Sequence, residues 1–370
     1  MIYFDNASTT KIDKSVLEVM IEAYENYFAN PSSLHSLGFK VEKAIKEARE
    51  IIAKQLNISD KNLYFTPSGT ISNNAVLDIY DQKGKNIIVS KIEHKSIENK
   101  VKNFKYAEVR YVITDKYGMI DKNDLLSKID DNTVLISIMH VNNELGTIND
   151  INYLSKIAKE KNKNINFHSD GVQAFKKINI NLRDIDYYTI SSHKINGPKG
   201  ISALYIRKPE SFKALYYGGS QEKGLFSGTE NVQAILGFAK ASTLDNNFSN
   251  IIKINNYLRE EILKIENSII VSPKKEVSPY ILNICFEKIG AEILLHYLEM
   301  DEVFISTGSA CNKDEKSYVI EELKIDDKYR NGCIRISLSK NSTMEEAKEF
   351  INILKEKIKI IRRILGWDGY

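Results

Sequence analysis

The sequence predicts an α/β protein that has a large domain with a mostly parallel sheet, followed by a smaller α+β domain. Between about residues 40 and 340, short apolar runs of strand length alternate with stretches of helical periodicity. Several of these runs are continuously apolar, as in strands that are covered on both faces. After about residue 245 the pattern changes to long helices with few strands. We therefore predict a large domain over residues 13–245 and a small domain formed by residues 1–12 and 246–370.

The elements of the large domain follow from hydrophobic periodicity. Residues 40–56 place apolar side chains on one face of a helix. Further helices are predicted near residues 150–161 and 230–242, where they can cover the sheet. The predicted strands are 87–90, 133–141, 165–168, 187–192 and 202–206.

In the C-terminal part, a helical pattern over 249–266 precedes short strands at 280–286 and 333–339. The last helix has a clear start, because Ser342 and Thr343 are each followed three residues later by a glutamate, which is the pattern of a capping box.

Composition restricts the class of protein. The chain has 370 residues, a formal net charge of +3, 27% charged and 42% hydrophobic residues. These values argue against a disordered chain, a collagen and a small disulfide scaffold, and the near-neutral charge argues against a dedicated nucleic-acid surface. The N-terminus has an acid at Asp5 instead of a basic segment, and no apolar run approaches the ~20 residues of a membrane helix. The sequence therefore predicts a soluble, cytoplasmic protein without a membrane or nucleic-acid partner.

The three cysteines predict reduced thiols and no metal site. Cys285, Cys311 and Cys333 form no CxxC pair and are odd in number. Cys285 and Cys333 lie in apolar, strand-like runs and are predicted to be core thiols. Cys311 lies in a stretch of small and then charged residues, which predicts a surface loop where a thiol can react.

Polar side chains follow four successive predicted strands. In an open α/β sheet ligands bind beyond the carboxyl ends of the strands, so these groups mark a candidate site. They are His94, Asn142, Asn143, His168, Asp170, Gln173, Ser191, His193 and Lys194.

The residue types fit the needs of pyridoxal phosphate. An aspartate keeps the pyridine nitrogen protonated, a lysine forms the Schiff base, and hydroxyl and amide groups bind the phosphate. The stretch with Ser68, Gly69 and Thr70 predicts a turn that enters a helix. Its N–H groups could bind a phosphate, or the turn could be a plain capped helix start.

With these motifs in place, the chain resembles the NifS-type cysteine desulfurases, which are class V, fold-type-I aminotransferases. The resemblance implies pyridoxal 5′-phosphate as the cofactor and a mostly parallel sheet of seven strands. The matching stretches are YFDNASTT (3–10), FANPSSLHSLG (28–38), SKIEHKS (90–96), SIMHVNNELGT (137–147), FHSDGVQ (167–173), SSHKINGPKG (191–200), SGTEN (227–231), STGSAC (306–311) and IRISLS (334–339).

The resemblance also implies roles for single residues. Lys194 corresponds to the lysine that carries the cofactor, Asp170 to the partner of the pyridine nitrogen, and His94 to the histidine that stacks on the ring and moves protons. Gln173 corresponds to the residue that hydrogen-bonds the phenolic oxygen. The implied phosphate contacts are Gly69, Thr70, Ser191, His193 and, from the second subunit of a homodimer, Thr229.

For the substrate, the resemblance implies Asn143 and Arg335 as carboxylate ligands and Asn30 as a further contact. From the residues alone, Arg335 could equally be an exposed charge on a strand. Cys311 corresponds to the nucleophilic cysteine. The chain departs from the family at two positions, since Ile71 replaces a usual glutamate and Phe226 replaces a usual arginine.

The expected activity is conversion of L-cysteine to L-alanine, with a persulfide on Cys311. The persulfide would pass to a sulfur-acceptor protein that docks near Cys311, for iron–sulfur cluster assembly or for tRNA or thiamine thiolation. Two alternatives stay open. One is another class V enzyme, such as a transaminase or a selenocysteine or cysteine-sulfinate lyase, in which Cys311 is dispensable. The other is a non-catalytic paralogue.

Overall fold

The computed structural model describes residues 1–214, 217–307 and 317–367. The strands are β1 (Ile2–Tyr3), β2 (Leu63–Thr66), β3 (Asn86–Ser90), β4 (Glu108–Val112), β5 (Thr133–Ser137), β6 (Asn166–Asp170), β7 (Tyr187–Ser191), β8 (Ser202–Ile206), β9 (Ser268–Ile270), β10 (Ile281–Phe286), β11 (Val303–Phe304) and β12 (Cys333–Ser337). The helices are α1 (Lys14–Asn26), α2 (Ser36–Gln55), α3 (Gly69–Tyr80), α4 (Lys95–Lys102), α5 (Lys122–Ser127), α6 (Ile151–Lys161), α7 (Val232–Thr243), α8 (Phe248–Ile262), α9 (Ala291–Glu299), α10 (Tyr318–Glu322), α11 (Asp327–Arg330) and α12 (Met344–Ile364).

A seven-stranded sheet forms the centre of the large α/β part, in the order β2-β8-β7-β6-β5-β3-β4. The strands from β4 to β7 are paired in parallel, whereas β8 runs antiparallel to both of its neighbours. The prediction of a mostly parallel sheet of seven strands is therefore confirmed.

The sheet is covered on both faces. Neighbouring residues of one strand point to opposite sides, so Ile88 and Ile136 belong to one apolar cluster while Ile87 and Leu135 belong to another. Helices α2, α6 and α7 contribute to the first cluster, and α3 and α4 contribute to the second. Cover on both faces explains why the strands are continuously apolar in sequence.

The C-terminal part is a smaller α+β unit. Its antiparallel sheet has the order β12-β10-β9, and α12 packs against α8 and α9. Thr343 caps α12, and it forms the predicted capping box with Glu346. The chain start joins this unit, because β1 pairs with β11 and the ring of Phe4 lies 5.5 Å from that of Phe350. These contacts support the predicted domain boundaries, which remain a prediction.

The prediction of reduced thiols at Cys285 and Cys333 is wrong. The two residues face each other across β10 and β12, and they form a disulfide with their Cα atoms 3.9 Å apart. The antiparallel register of two strands 48 residues apart in sequence brings them together. Sequence spacing does not reveal such a register. Both side chains are buried, as expected for their apolar runs.

Across the described ranges, no helix combines the length and the apolar character that crossing a membrane requires.

Candidate active site

A cleft of about 330 Å³ lies at the carboxyl ends of β3, β5, β6 and β7, where parallel strands of an open sheet bind ligands. The cleft brings together ten of the residues that the sequence singles out. They are Gly69, Thr70, His94, Asn143, Asp170, Gln173, Ser191, His193, Lys194 and Arg335.

Asp170 is the last residue of β6, and it is held from two sides. Asn73 donates from Nδ2 to Oδ2 of Asp170 over 2.7 Å, and the backbone N–H of Val172 donates to Oδ1 over 2.9 Å. Both carboxylate oxygens therefore have a donor, and the side chain is buried at the floor of the cleft. Such a fixed carboxylate can pair with a protonated ring nitrogen.

His94 caps the N-terminus of α4. The backbone N–H of Ser96 donates to Nδ1 of His94 over 3.1 Å, so the neutral ring carries its proton on Nε2. Burial lowers the pKa of His94, and the positive charges of Lys194 and Lys95 lower it further against the opposing effect of Asp170. His94 is therefore a neutral imidazole near pH 7, with an N–H at Nε2.

A chain of hydrogen bonds links His94 to Asp170. The hydroxyl of Ser96 lies 2.8 Å from Nδ1 of His94, and Asn73 donates to that hydroxyl over 2.9 Å. Asn73 also donates to Asp170. One amide on α3 thus fixes the two side chains that the resemblance places above the ring and at its nitrogen.

Lys194 follows β7 in a short 3-10 turn over residues 192–194. Its Nζ donates to two backbone carbonyl groups, that of Ala7 over 2.7 Å and that of Ser8 over 2.6 Å. The N-terminal segment thus forms one wall of the cleft and positions the amine.

One end of the cleft suits a phosphate. Helix α3 begins there at Gly69, and Ser68 caps it by accepting from the backbone N–H of Ile71. A Cβ on Gly69 would lie 3.2 Å from a methyl group of Val172, so the close approach of helix and strand favours glycine. Helix N-termini attract anions. The hydroxyls of Thr70 and Ser191 face the same cleft.

His193 contributes a second polar group at this end. Its Nδ1 lies 3.1 Å from the hydroxyl of Thr9. Burial lowers the pKa of His193 to about 3, and the positive charges of Lys194, Lys199 and Lys177 add to this effect. His193 is therefore neutral near pH 7, and it can contact a phosphate as a hydrogen-bond donor or acceptor instead of as a cation.

The residues present fit pyridoxal phosphate. A buried carboxylate, an amine, and a glycine-started helix with hydroxyl groups lie around one cleft, and these are the groups that the ring nitrogen, the aldehyde carbon and the phosphate require.

Arg335 lies on β12 and reaches into the cleft with only 2% of its surface exposed. The reading as an exposed strand charge is therefore wrong. Its guanidinium donates to Oδ1 of Asp5 and to the hydroxyl of Ser8, each over 2.8 Å, and to the backbone carbonyl of Asn143 over 3.0 Å. Its Nε has no partner among the described residues. A cation held in this way can receive a carboxylate.

Two predicted residues, Asn30 and Thr229, lie elsewhere. Asn30 is exposed and accepts from the backbone N–H of Ser32, and it does not line the cleft of its own chain. Thr229 is likewise exposed and outside the cleft. Cys311 lies outside the described residues.

The sequence analysis missed several side chains of the site. Asn73, Ser96, Glu144 and Tyr318 line the cleft, and Lys177 contacts Gln173 just behind it. The sequence could have predicted Asn73, since this residue lies one helical turn after Thr70 and thus on the same side of α3. The segment after β3 similarly predicts that Ser96 accompanies His94.

Two buried glutamates next to the cleft hold their protons unusually well. Burial raises the pKa of Glu93 to about 8, although hydrogen bonds from Ser90 and Met139 oppose the shift. Burial also raises the pKa of Glu144 to about 7, and the hydroxyl of Ser317 donates to it over 2.5 Å.

The two departures from the family pattern occupy one apolar cluster. The ring of Phe226 is buried 6.2 Å from that of Phe212, and Ile71 packs against the same cluster. The replaced glutamate and arginine are thus both exchanged for apolar residues where the chain builds hydrophobic core.

Comparisons with known proteins agree with this geometry. The family Aminotransferase class-V matches residues 2–350. "Cysteine desulfurase IscS" of Dictyoglomus turgidum (strain DSM 6724 / Z-1310) is 37% identical over 98% of this chain and 96% of its own length. A solved structure described as a "NIFS-LIKE PROTEIN" has a TM-score of 0.89 and 33% identity, covering 97% of this chain and 99% of its own. Another, "SspA in complex with cysteine", has a TM-score of 0.82 and 32% identity over 91% of this chain and 99% of its own.

Proposed function

The chain belongs to the class-V aminotransferase family, and from this premise we propose that it is a cysteine desulfurase that uses pyridoxal 5′-phosphate. The observation that carries the proposal is the joint placement of Lys194, Asp170, His94 and Arg335 around one cleft. Relatives that match almost the whole chain are named cysteine desulfurases, and a similar solved structure contains cysteine.

Each group of the cofactor has a proposed holder. Lys194 would bind it covalently, Asp170 would pair with the ring nitrogen, His94 would stack on the ring, and Gln173 would donate to the phenolic oxygen. The phosphate would lie at the start of α3. The proposed phosphate contacts are Gly69, Thr70, Ser191, His193 and the partner subunit's Thr229. When bound, the cofactor supplies an electron sink that stabilises negative charge at the Cα atom of the substrate.

Two side chains of the cleft move protons in this proposal. Lys194 would accept the Cα proton of L-cysteine on Nζ. His94 is suited to deliver a proton from Nε2, because Ser96 accounts for Nδ1 and burial keeps the ring neutral.

Arg335 is the proposed carboxylate ligand of the substrate. Asp5 and Ser8 hold the guanidinium in the cleft, and its buried position strengthens any charge-assisted hydrogen bond that it makes. Asn143 lines the cleft next to Arg335 and would add a second contact. Asn30 stays a predicted substrate contact, although it does not line the cleft of its own chain.

Cys311 is the proposed nucleophile. Its Sγ attacks the substrate sulfur, the Cβ–S bond breaks with its electron pair going to the carbon side, and protonation then yields L-alanine. The sulfur stays on Cys311 as a persulfide until an acceptor protein takes it, for iron–sulfur assembly or for tRNA or thiamine thiolation.

Contacts on both sides of the Cys311 segment support this assignment. Before the segment, the backbone of Ser306 pairs with that of Arg335. After the segment, Ser317 donates to Glu144, which lines the cleft. The chain thus passes the cleft immediately before and after the segment that contains Cys311.

A homodimer is the proposed assembly. On α1, Leu17, Ile21 and Tyr24 form an exposed apolar stripe. Their spacing places them on one helix face, while Val16 and Ala23 face the core. An apolar surface of this kind marks an interface.

The test is turnover of L-cysteine by the purified protein with cofactor, measured as alanine formed. We expect Cys311→Ala to lose at least ~100-fold in rate while it keeps the visible absorption of bound cofactor. Lys194→Ala, the matched variant, should lose the rate and that absorption together.

Other outcomes separate the alternatives. Alanine production by Cys311→Ala at the wild-type rate would favour another class V enzyme. Absence of cofactor absorption from the wild type, even with added pyridoxal phosphate, would favour a non-catalytic paralogue.

A further inference from the structure

Lys177 is a buried lysine placed directly behind the cleft. After β6, backbone bonds from Phe175 to Gly171 and from Lys177 to Ala174, each 2.9 Å, wind the chain into helical turns. These turns put residues 173 and 177 on the same side, four positions apart. The side chain of Lys177 is only 6% exposed.

Lys177 and Ala7 together fix the orientation of the Gln173 amide. Nζ of Lys177 donates to Oε1 of Gln173 over 2.9 Å, and Nε2 of Gln173 donates to the backbone carbonyl of Ala7 over 2.8 Å. If the amide were flipped, its NH₂ group would face the donating amine of Lys177, and its oxygen would face the carbonyl oxygen of Ala7, which only accepts. The amide therefore has one stable orientation.

This orientation leaves one N–H of Gln173 for the cleft. The amide nitrogen has two hydrogens, and in the described part of the chain the recorded acceptor is the Ala7 carbonyl alone. Gln173 lines the cleft together with Asp170 and Lys194. A ligand oxygen with negative charge is the natural acceptor for the second hydrogen.

Packing alone accounts poorly for a lysine at this position. Among the described residues no carboxylate pairs with Lys177, and the nearest charges that act on it, on Lys194 and Arg335, are positive. The ring of Tyr280 lies 5.8 Å from its Nζ, and burial lowers the pKa of Lys177 to about 7. Burying an amine away from water and from any carboxylate costs stability, so a role in the neighbouring site explains it better.

We propose that Lys177 is a positioning residue that holds the Gln173 amide with an N–H available to the phenolic oxygen of pyridoxal phosphate. The inference rests on the proposed contact between Gln173 and the cofactor. A donor at this oxygen stabilises its negative charge, which is greatest when the bound cofactor has lost its proton. Lys177 thereby lowers the pH at which the cofactor changes colour, without touching the cofactor itself.

The experiment is a pH titration of the visible absorption of the holoenzyme. We expect Lys177→Met and Gln173→Ala each to raise the midpoint by about one pH unit, the equivalent of one hydrogen bond. In the double variant the two shifts should not add, because both remove the same bond. The control is Lys176→Met, which removes a neighbouring lysine that contacts Gln55 and should leave the midpoint unchanged.

The double variant separates positioning from a simple charge effect. If Lys177→Met raises the midpoint as much in the Gln173→Ala protein as in the wild type, the lysine acts through its charge and the inference is wrong. Lys177→Gln keeps an N–H donor, so its midpoint should stay close to the wild-type value. If Lys177→Met does not fold, the midpoint of Lys177→Gln tests the inference in its place.

The same titration distinguishes the inference from the function on which it rests. An unchanged midpoint in Gln173→Ala would overturn both the proposed Gln173 contact and the role of Lys177. A shift in Gln173→Ala without one in Lys177→Met would overturn the role of Lys177 alone.

Discussion

Asn73 connects the two ends of the proposed ring site. Its amide donates to Asp170 and to Ser96, and Ser96 in turn bonds Nδ1 of His94. The Oδ1 of Asn73 is buried without a recorded partner among the described residues. Asn73 therefore contributes to the site through the two hydrogen bonds that its Nδ2 donates.

We expect Asn73→Ala to weaken cofactor binding about tenfold, because a hydrogen bond to a charged group is worth ~1.5 kcal/mol or more. The measurement is titration of the apoprotein with pyridoxal phosphate, followed by absorption. Asn99→Ala, an exposed asparagine on α4, serves as the control. Equal cofactor affinities in the two variants would show that Asn73 does not contribute to cofactor binding.

Glu93 makes stability depend on pH. Burial raises its pKa to about 8 from the usual 4.5, so the folded protein keeps a proton that the unfolded chain loses as pH rises between these values. This group therefore stabilises the fold fully at low pH and loses that contribution as pH rises towards 8.

The Glu93→Gln variant has no carboxyl group at this position, so it does not lose this stability as pH rises. We expect the variant to gain stability relative to wild type as pH rises from 4.5 to 8, by at most about 1.4 kcal/mol per pH unit. Urea midpoints across that pH range measure it. A constant difference between the two proteins would mean that Glu93 titrates normally.

At the scale of elements, the apolar cluster between α3, α4 and the sheet contains both departures from the family pattern, Ile71 and Phe226. Because Phe226 is buried against Phe212, the usual arginine would place an unpaired cation among apolar side chains. Phe226→Arg should therefore lower stability by about 3 kcal/mol or more.

Phe226→Leu is the matched control, since it keeps an apolar side chain and should cost clearly less. Urea unfolding midpoints at neutral pH compare the two variants. Equal losses would show that the cluster admits a charge, so that Phe226 is not a core residue.

The elements differ in how far their sequences predict them. The buried strands β3, β5 and β7 are rich in apolar residues, so both their positions and the polar residues after them are predictable. Strand β6 reads NFHSD, and Phe167 is its one apolar residue. Edge strand β4 is harder to predict, because the charged residues Glu108 and Arg110 alternate with apolar ones, and β2 is only four residues long.

The residues of the candidate site also differ in how far the sequence predicts them. Residues at or just beyond the carboxyl ends of strands, such as Asp170 and Lys194, follow from topology. Lys177 resembles an ordinary surface lysine in sequence, and only the turns after β6 bury it against Gln173. The pairing of Cys285 with Cys333 depends on strand register, which spacing does not encode.

For the whole molecule, the exposed stripe on α1 predicts that the quaternary structure depends on apolar contacts. We expect Ile21→Asp combined with Tyr24→Asp to yield monomers, because a buried carboxylate at an interface costs several kcal/mol. Sedimentation equilibrium measures the mass. Met300→Asp, an exposed apolar residue beyond α9, should leave the dimer intact, and a wild-type protein that sediments as a monomer would contradict the proposed assembly.

The disulfide limits how much sulfur one subunit can carry. Three cysteines are present, and the bond between Cys285 and Cys333 occupies two of them. The non-denatured chain should then take up a single iodoacetamide label, at Cys311. Given one equivalent of L-cysteine per subunit, the protein should then gain the mass of one sulfur atom on Cys311, because Cys285 and Cys333 are joined to each other.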